Sequence, residues 1–399
     1  MREYRADFAV YRNNPDLCYL DYAATTFMPD SVIDAWINFH QHYGISIGRG
    51  SNYLSAKANR IFEESSMKIL DFFQATKKYQ LIYTKNATES ANLLASILVN
   101  MINPGDIIVT TEYEHHSNLL PWIKLASDKD AIVLKLPILP NGNIDYDFIE
   151  RSLYDKIKII TVTMESNVNS YTPQIEKIKL LKKETNAILV FDMSQVVGHS
   201  KVDCGSIDAD AYFMSAHKMY GPKNIGGLLM KNDICEELPP FMLGGGMVWS
   251  SLGGKPTWYK DFRKYMAGTF DVGLVFAWAK ACEYMKEIGM TQIASSDFNL
   301  KSYLKESVAH LHKFCLIPEG TEHGYSLSSF TLDGIHSHDV AALLSEEHIV
   351  IRTGHMCAQP TLQAFHQESI CRVSWGIGTD VSDVDRFIDA ISERVNNRK

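Results

Sequence analysis

The chain has 399 residues, 46% hydrophobic and 22% charged, the balance of a soluble globular protein too long for one ordinary core. Its formal net charge of −8 gives no general affinity for nucleic acid or anionic membrane, and no run approaches the ~18 apolar residues of a membrane span. Seven dispersed cysteines without a CxxC pair or metal-type spacing, and a start (Met1-Arg2-Glu3) without an apolar core, point to reduced thiols, no metal and the cytoplasm.

From about Leu81 to Met230 short β-branched runs alternate with helical stretches, the pattern of parallel α/β units. Strands are predicted at 80–84, 106–111, 131–136, 158–164, 187–191, 211–214 and 226–230, with helices at 89–100 and 175–184 between them. Most of these strands are apolar along their whole length, as in a sheet covered on both faces. Polar residues follow five of them: Thr84-Lys85-Asn86, the stretch from Glu112 to Ser117, Glu165-Ser166-Asn167, Asp192, and Ser215-Ala216-His217-Lys218. Open parallel sheets bind ligands beyond the carboxyl ends of their strands, so these five ends are expected to meet at one crevice. The glycine-rich stretch from Leu243 to Thr269 reads as a long surface excursion. A long helix is expected from Val272 to about Ile288, followed by a smaller α+β region. The predicted organisation is an N-terminal segment (1–30) packing with the small domain, a large domain (31–288) that holds the crevice, and a small C-terminal domain (289–399).

Lys218 ends an apolar strand, between His217 and Tyr220-Gly221-Pro222. A lysine at a strand mouth loses water and has its pKa lowered, which makes its amine a nucleophile towards an aldehyde. Asp192 ends another strand, with Gln195 three residues on. A carboxylate able to pair with a pyridinium nitrogen, plus a Schiff-base lysine, is the protein's usual contribution to pyridoxal phosphate chemistry. Asn86-Ala87-Thr88 opens a helix directly after a strand, a natural seat for phosphate. His115 is placed to stack on a ring and move protons, Asn167 to hydrogen-bond a phenolate or carboxylate, and His217 to orient the phosphate. Nearer the C-terminus Arg372, supported by Arg352, suits the carboxylate of an amino acid, and Cys357 lies in a Gly/Pro-flanked loop where a thiol can react.

These motifs resemble the class V (fold-type I) pyridoxal-phosphate enzymes and, within them, the group II cysteine desulfurases, also called selenocysteine lyases. The likeness begins at Tyr19-Leu20-Asp21-Tyr22-Ala23-Ala24-Thr25-Thr26 and runs through Arg49-Gly50, Asn86 to Asn92, Glu114 to Trp122, Ser166-Asn167-Val168 and Asp192 to Gln195. It takes in Ser215 to Pro222 and closes with Arg352 to Pro360 and Cys371 to Ser374. The resemblance implies a large domain with a mainly parallel seven-stranded sheet and a small α+β domain. It implies that Lys218 carries the cofactor, Asp192 pairs with its ring nitrogen, and His115 stacks on its ring. Gln195 and Asn167 would contact the ring oxygen or substrate. Ala87, Thr88, Ser215 and His217 would hold the phosphate, with Thr269 from a second subunit of a homodimer. Ala24, Asn167, Arg352 and Arg372 would bind L-cysteine or L-selenocysteine, and Cys357 would take up sulfur as a persulfide for an acceptor protein.

Two segments depart from the family pattern. Asn169-Ser170-Tyr171 stands where Leu-Gly-Thr is usual, and Trp375-Gly376-Ile377-Gly378-Thr379 replaces a Tyr-Asn-Thr continuation. Both are expected to lie near the substrate. The alternatives are an aminotransferase, epimerase or β-lyase on the same scaffold, with Cys357 incidental, or a catalytically idle cofactor-binding subunit.

Overall fold

The computed structural model describes residues 1–48, 50 and 52–396; Arg49, within the second of the family-like motifs, lies outside the described residues. Strand β1 (Cys18–Tyr19) precedes a seven-stranded sheet of β2 (Tyr79–Thr84), β3 (Ile107–Thr111), β4 (Ile132–Leu136), β5 (Ile157–Thr163), β6 (Ile188–Asp192), β7 (Ala211–Ser215) and β8 (Gly226–Lys231). Their order across the sheet is β2-β8-β7-β6-β5-β3-β4. Every strand predicted from the apolar runs is present. One runs against the rest: β8 pairs antiparallel with both β7 and β2. The connection from Ala216 to Ile225 contains no crossover helix, and without one the chain can only turn back beside the strand it leaves.

The sheet is covered on both faces because its side chains alternate. Along β7, Tyr212 and Met214 enter one hydrophobic cluster while Ala211 and Phe213 enter another. Along β8, Leu229 joins the first cluster and Leu228 and Met230 the second. Helices α1 (Asp30–His42) and α2 (Tyr53–Phe72) pack against the long helix Val272–Ile288. Between them in sequence, α3 (Ala87–Ile97) leaves the end of β2 and packs on β7 and β8. With that numbering the helix Val272–Ile288 is α4, and α5 (Met290–Val308), α6 (Gln359–Ala364) and α7 (Val381–Asn396) follow. The glycine-rich excursion holds a short hairpin of β9 (Val248–Ser250) and β10 (Thr257–Trp258), with Trp249 and Leu252 exposed.

A second, four-stranded sheet has the order β11-β12-β15-β14, formed by β11 (Phe314–Leu316), β12 (Leu327–Leu332), β14 (Arg352–Gly354) and β15 (Ile370–Ser374). Its core joins Leu300 and Leu304 of α5 to Phe330, Val373 and Phe387. The N-terminal segment reaches this core, since β1 pairs in parallel with β13 (Ile349–Val350) and Cys18 is buried within it. Arg5 forms an ion pair with Asp383 of α7, while Phe8 and Tyr11 also belong to the first cluster of the large sheet.

Candidate active site

The predicted strand ends meet. A cavity of about 320 Å³ is lined by residues at or just after the ends of β2, β3, β5, β6 and β7, together with Arg352 and Arg372 of the second sheet and Met356 and Cys357 from the loop after β14. Ala24, Ala87, Thr88, His115, Asn167, Asp192, Gln195, Ser215, His217 and Lys218 all line it. Among the predicted site residues Thr269 alone lies elsewhere, exposed on the surface of its own chain.

Lys218 closes the short 3-10 turn Ala216–Lys218 that β7 runs into. Burial pushes its amine down to about 8, with the nearby Asp192 carboxylate pulling the other way. The turn is packed tightly from below: a Cβ on Gly198 would sit 2.5 Å from the Lys218 carbonyl oxygen, so the glycine permits the close approach. Asp192 is buried at the end of β6 and accepts the backbone N–H of Ser194 at 2.9 Å. Burial raises its carboxyl group, and the Ser194 contacts and the charge of Lys218 oppose that rise.

Helix α3 begins against β7. Asn86 caps it by accepting the Glu89 N–H at 3.0 Å, and the Ala87 N–H donates to Ser215 Oγ at 2.8 Å. Gly226 makes this junction possible, because a Cβ there would meet the Asn86 Cα at 2.7 Å. The Thr88 hydroxyl lies 2.8 Å from that of Ser117, and Ser117 in turn is 2.9 Å from His115 Nδ1. The Ser117 backbone N–H also donates to His115 Nδ1, so that nitrogen is an acceptor and the proton of the neutral ring sits on Nε2. Burial, reinforced by the charge of Lys218, lowers the His115 imidazole to about 3. His217 is lowered to about 4, again chiefly by burial, and its Nδ1 lies 3.2 Å from Thr25 Oγ1. The turn carrying His115 is fastened by buried Glu114, which accepts from Thr111 Oγ1, Asn118 Nδ2 and the Thr163 N–H at 2.7, 2.6 and 3.0 Å.

On the other wall the sequence reading missed one group. Asp21, quoted in the N-terminal motif without a role, is buried between the two arginines: Arg372 reaches its Oδ1 at 3.2 Å and Arg352 its Oδ2 at 2.9 Å. Arg372 is buried, donates to the Asn167 carbonyl at 2.8 Å and leaves Nε without a partner among the described residues. Two guanidiniums share one carboxylate, which leaves one positive charge for an incoming anion. The signal in sequence was an acid beside a β-run, indistinguishable there from a turn residue.

Asn167 also donates its amide to the Met356 carbonyl at 2.8 Å, which leaves its Oδ1 buried without a partner among the described residues. Met356 and Cys357 are consecutive left-handed residues, with φ of 53° and 52°. The His116 N–H takes the Cys357 carbonyl at 2.8 Å, and Thr361 Oγ1 at the start of α6 donates to the Glu112 carbonyl at 2.6 Å. Cys357 is exposed at the cavity wall, whereas Cys18, Cys282 and Cys371 are buried, as their apolar surroundings in sequence suggest. Cys315, whose sequence reads as that of another small core residue, is exposed on the short strand β11 instead.

Neither departure from the family pattern lines the cavity. Trp375 is buried, and a Cβ on Gly376 would strike Tyr22 and the Tyr220 hydroxyl at 2.6 Å, so this segment packs beneath the site. Ser170 stands where glycine is usual and holds a left-handed backbone, with φ of 54°.

The family model "Aminotransferase class-V" matches residues 18–387. The chain is similar to a cysteine desulfurase of Wigglesworthia glossinidia brevipalpis, 32% identical over 98% of this chain and 96% of that protein. It is likewise similar to one of Haloferax volcanii, 32% identical over 94% of this chain and 88% of that one. Among solved structures, the apo cysteine desulfurase of Thermococcus onnurineus superposes with a TM-score of 0.93 at 28% identity, covering 99% of this chain and 98% of that one. The Escherichia coli cysteine desulfurase CsdA, solved as its S-sulfonic acid, gives 0.90 at 27% identity, with the same coverage of both chains.

Proposed function

The chain belongs to the class-V aminotransferase family, and from that premise we propose that it is a pyridoxal-phosphate-dependent cysteine desulfurase, releasing L-alanine from L-cysteine and keeping the sulfur as a persulfide on Cys357. The observation that carries this reading is one cavity lined together by Lys218, Asp192, Arg372 and an exposed Cys357.

The residues present fit the cofactor. Buried Asp192 suits a pyridinium nitrogen and Lys218 an aldehyde, while the start of α3 with Thr88, Ser215 and His217 suits a phosphate. Asn167 keeps a second amide hydrogen for the ring oxygen, its buried Oδ1 needs a donor, and His115 lies against the same space. When bound, the cofactor supplies an electron sink at the substrate α-carbon.

The protein's own groups do the rest. Arg372, steadied by Asp21, holds the substrate carboxylate, with Arg352 at the rim. The Lys218 amine, brought down to about 8 by burial, takes the α-proton and returns one. The Cys357 thiolate attacks the substrate sulfur; the carbon–sulfur bond breaks, its electron pair stays with the carbon fragment, and a proton on that carbon completes alanine. His115 stays uncharged while this happens. The same arrangement accepts L-selenocysteine. A persulfide on an exposed cysteine is a reversible cap, ready for an acceptor protein.

The reading also divides the chain into 1–30, 31–288 and 289–399, and gives Thr269 its use across a homodimer in the cytoplasm. No described helix is long and apolar enough to cross a membrane. Aminotransfer, epimerisation and β-elimination on the same scaffold leave Cys357 without a task. Cys357→Ala is expected to abolish alanine formation from L-cysteine while the cofactor stays bound at Lys218; full activity in that variant would end the sulfur-relay reading.

A further inference from the structure

Behind the wall that carries Asn167 lies a buried amine with no part in the proposed chemistry. Lys301 of α5 is 1% exposed, and its Nζ meets Ser170 Oγ at 2.6 Å, the Gly324 carbonyl at 2.8 Å and Glu319 Oε1 at 3.1 Å. Three donors thus find three acceptors, and Lys305 covers the other Glu319 oxygen at 2.5 Å. The target of this amine is unusual too: Ser170 holds a left-handed conformation that costs any residue with a Cβ more than it costs glycine.

The turn that Ser170 completes is short and cross-tied. The Ser170 N–H donates to the Ser166 carbonyl at 3.0 Å, and the Ser166 N–H to the Tyr171 carbonyl at 2.8 Å. Within it Asn167 holds Arg372 through its carbonyl and the Met356-Cys357 turn through its amide, each at 2.8 Å. Ser170 Oγ itself reaches the Leu327 carbonyl at 3.1 Å, which ties the turn to β12.

We infer that Lys301 is a positioning residue: by gripping Ser170 it fixes the 166–171 turn, and through Asn167 it sets the guanidinium of Arg372 for the substrate carboxylate. The inference rests on the reading of Arg372 as the carboxylate-binding group. With glycine at position 170 the turn would need no such grip; with serine the amine holds what the backbone resists.

The test is a set of variants assayed with L-cysteine. Lys301→Met keeps the volume of the side chain and removes its donors, and KM is expected to rise about tenfold with kcat within about twofold. Adding Ser170→Gly to that variant is expected to restore KM, because glycine holds the left-handed turn without the grip. Ser170→Ala, which removes the acceptor and keeps the lysine, should raise KM in the same way, and it serves where Lys301→Met fails to fold. Hydrogen exchange of the 166–171 amides is expected to quicken in Lys301→Met and Ser170→Ala, with or without cofactor. A wild-type KM in Lys301→Met or Ser170→Ala, or a rise that persists after Ser170→Gly is added, overturns the role of Lys301. Arg372→Lys separates the two readings: an unchanged KM in that variant removes Arg372 from carboxylate binding and leaves the exchange result to judge Lys301 alone.

Discussion

The amine of Lys218 is held near 8 by burial, against about 10.4 for a lysine in water. At pH 7 those values leave roughly 10% and roughly 0.04% of the amine uncharged, a gain of about 200-fold in the form that attacks an aldehyde. The measurement is uptake of pyridoxal phosphate by cofactor-stripped protein, quenched with borohydride at timed intervals and read as the pyridoxyl adduct on the Lys218 peptide. The rate should climb about tenfold per pH unit below 7.5 and level off above about 8, since only the uncharged amine reacts. Asp192 supplies the opposing pull, so Asp192→Asn should move that break to lower pH. A rate that goes on climbing in proportion to hydroxide through about pH 9.5, as an exposed lysine's would, refutes the argument that burial tunes this amine.

Arg372→Lys gives up the two-pronged grip, and loss of about 2 kcal/mol of charge-assisted hydrogen bonding should raise KM for L-cysteine about 30-fold, with the absorbance of the bound cofactor unchanged. Asp21→Asn leaves the buried Arg372 guanidinium without its carboxylate at 3.2 Å, and denaturant unfolding of the stripped protein should show about 3 kcal/mol less stability. Because burial holds the His115 imidazole at about 3, His115→Gln should leave the shape of the kcat/KM pH profile between about pH 5.5 and 7.5 unchanged, whatever slope the other groups give it. A step there that disappears in His115→Gln would show the ring titrating after all.

The strands and the meeting of their ends were legible because apolar runs bounded by polar residues have a local cause. Val190-Phe191-Asp192 and Met214-Ser215 carry the strand, its end and the site residue within a few positions. The reversed direction of β8 was not legible, since an apolar run reads the same in either sense. Asp21 escaped because its role depends on Arg352 and Arg372, more than 300 positions away, and ion pairs leave no periodic trace. The same holds for Lys301, whose partners Ser170 and Glu319 come together only in the folded chain. The Asn169-Ser170-Tyr171 departure was visible, but whether a serine could keep a glycine's backbone angle depended on what stood behind it.

The pair of left-handed residues at Met356 and Cys357 has both carbonyls tied down, one by Asn167 and the other by the His116 amide. If Cys357 carries sulfur, it would do so on a short turn tied at both carbonyls rather than at the end of a long free loop. On the desulfurase reading, whatever collects that sulfur must travel the remaining distance itself, presenting its thiol on a slender extension that fits the mouth of the cleft.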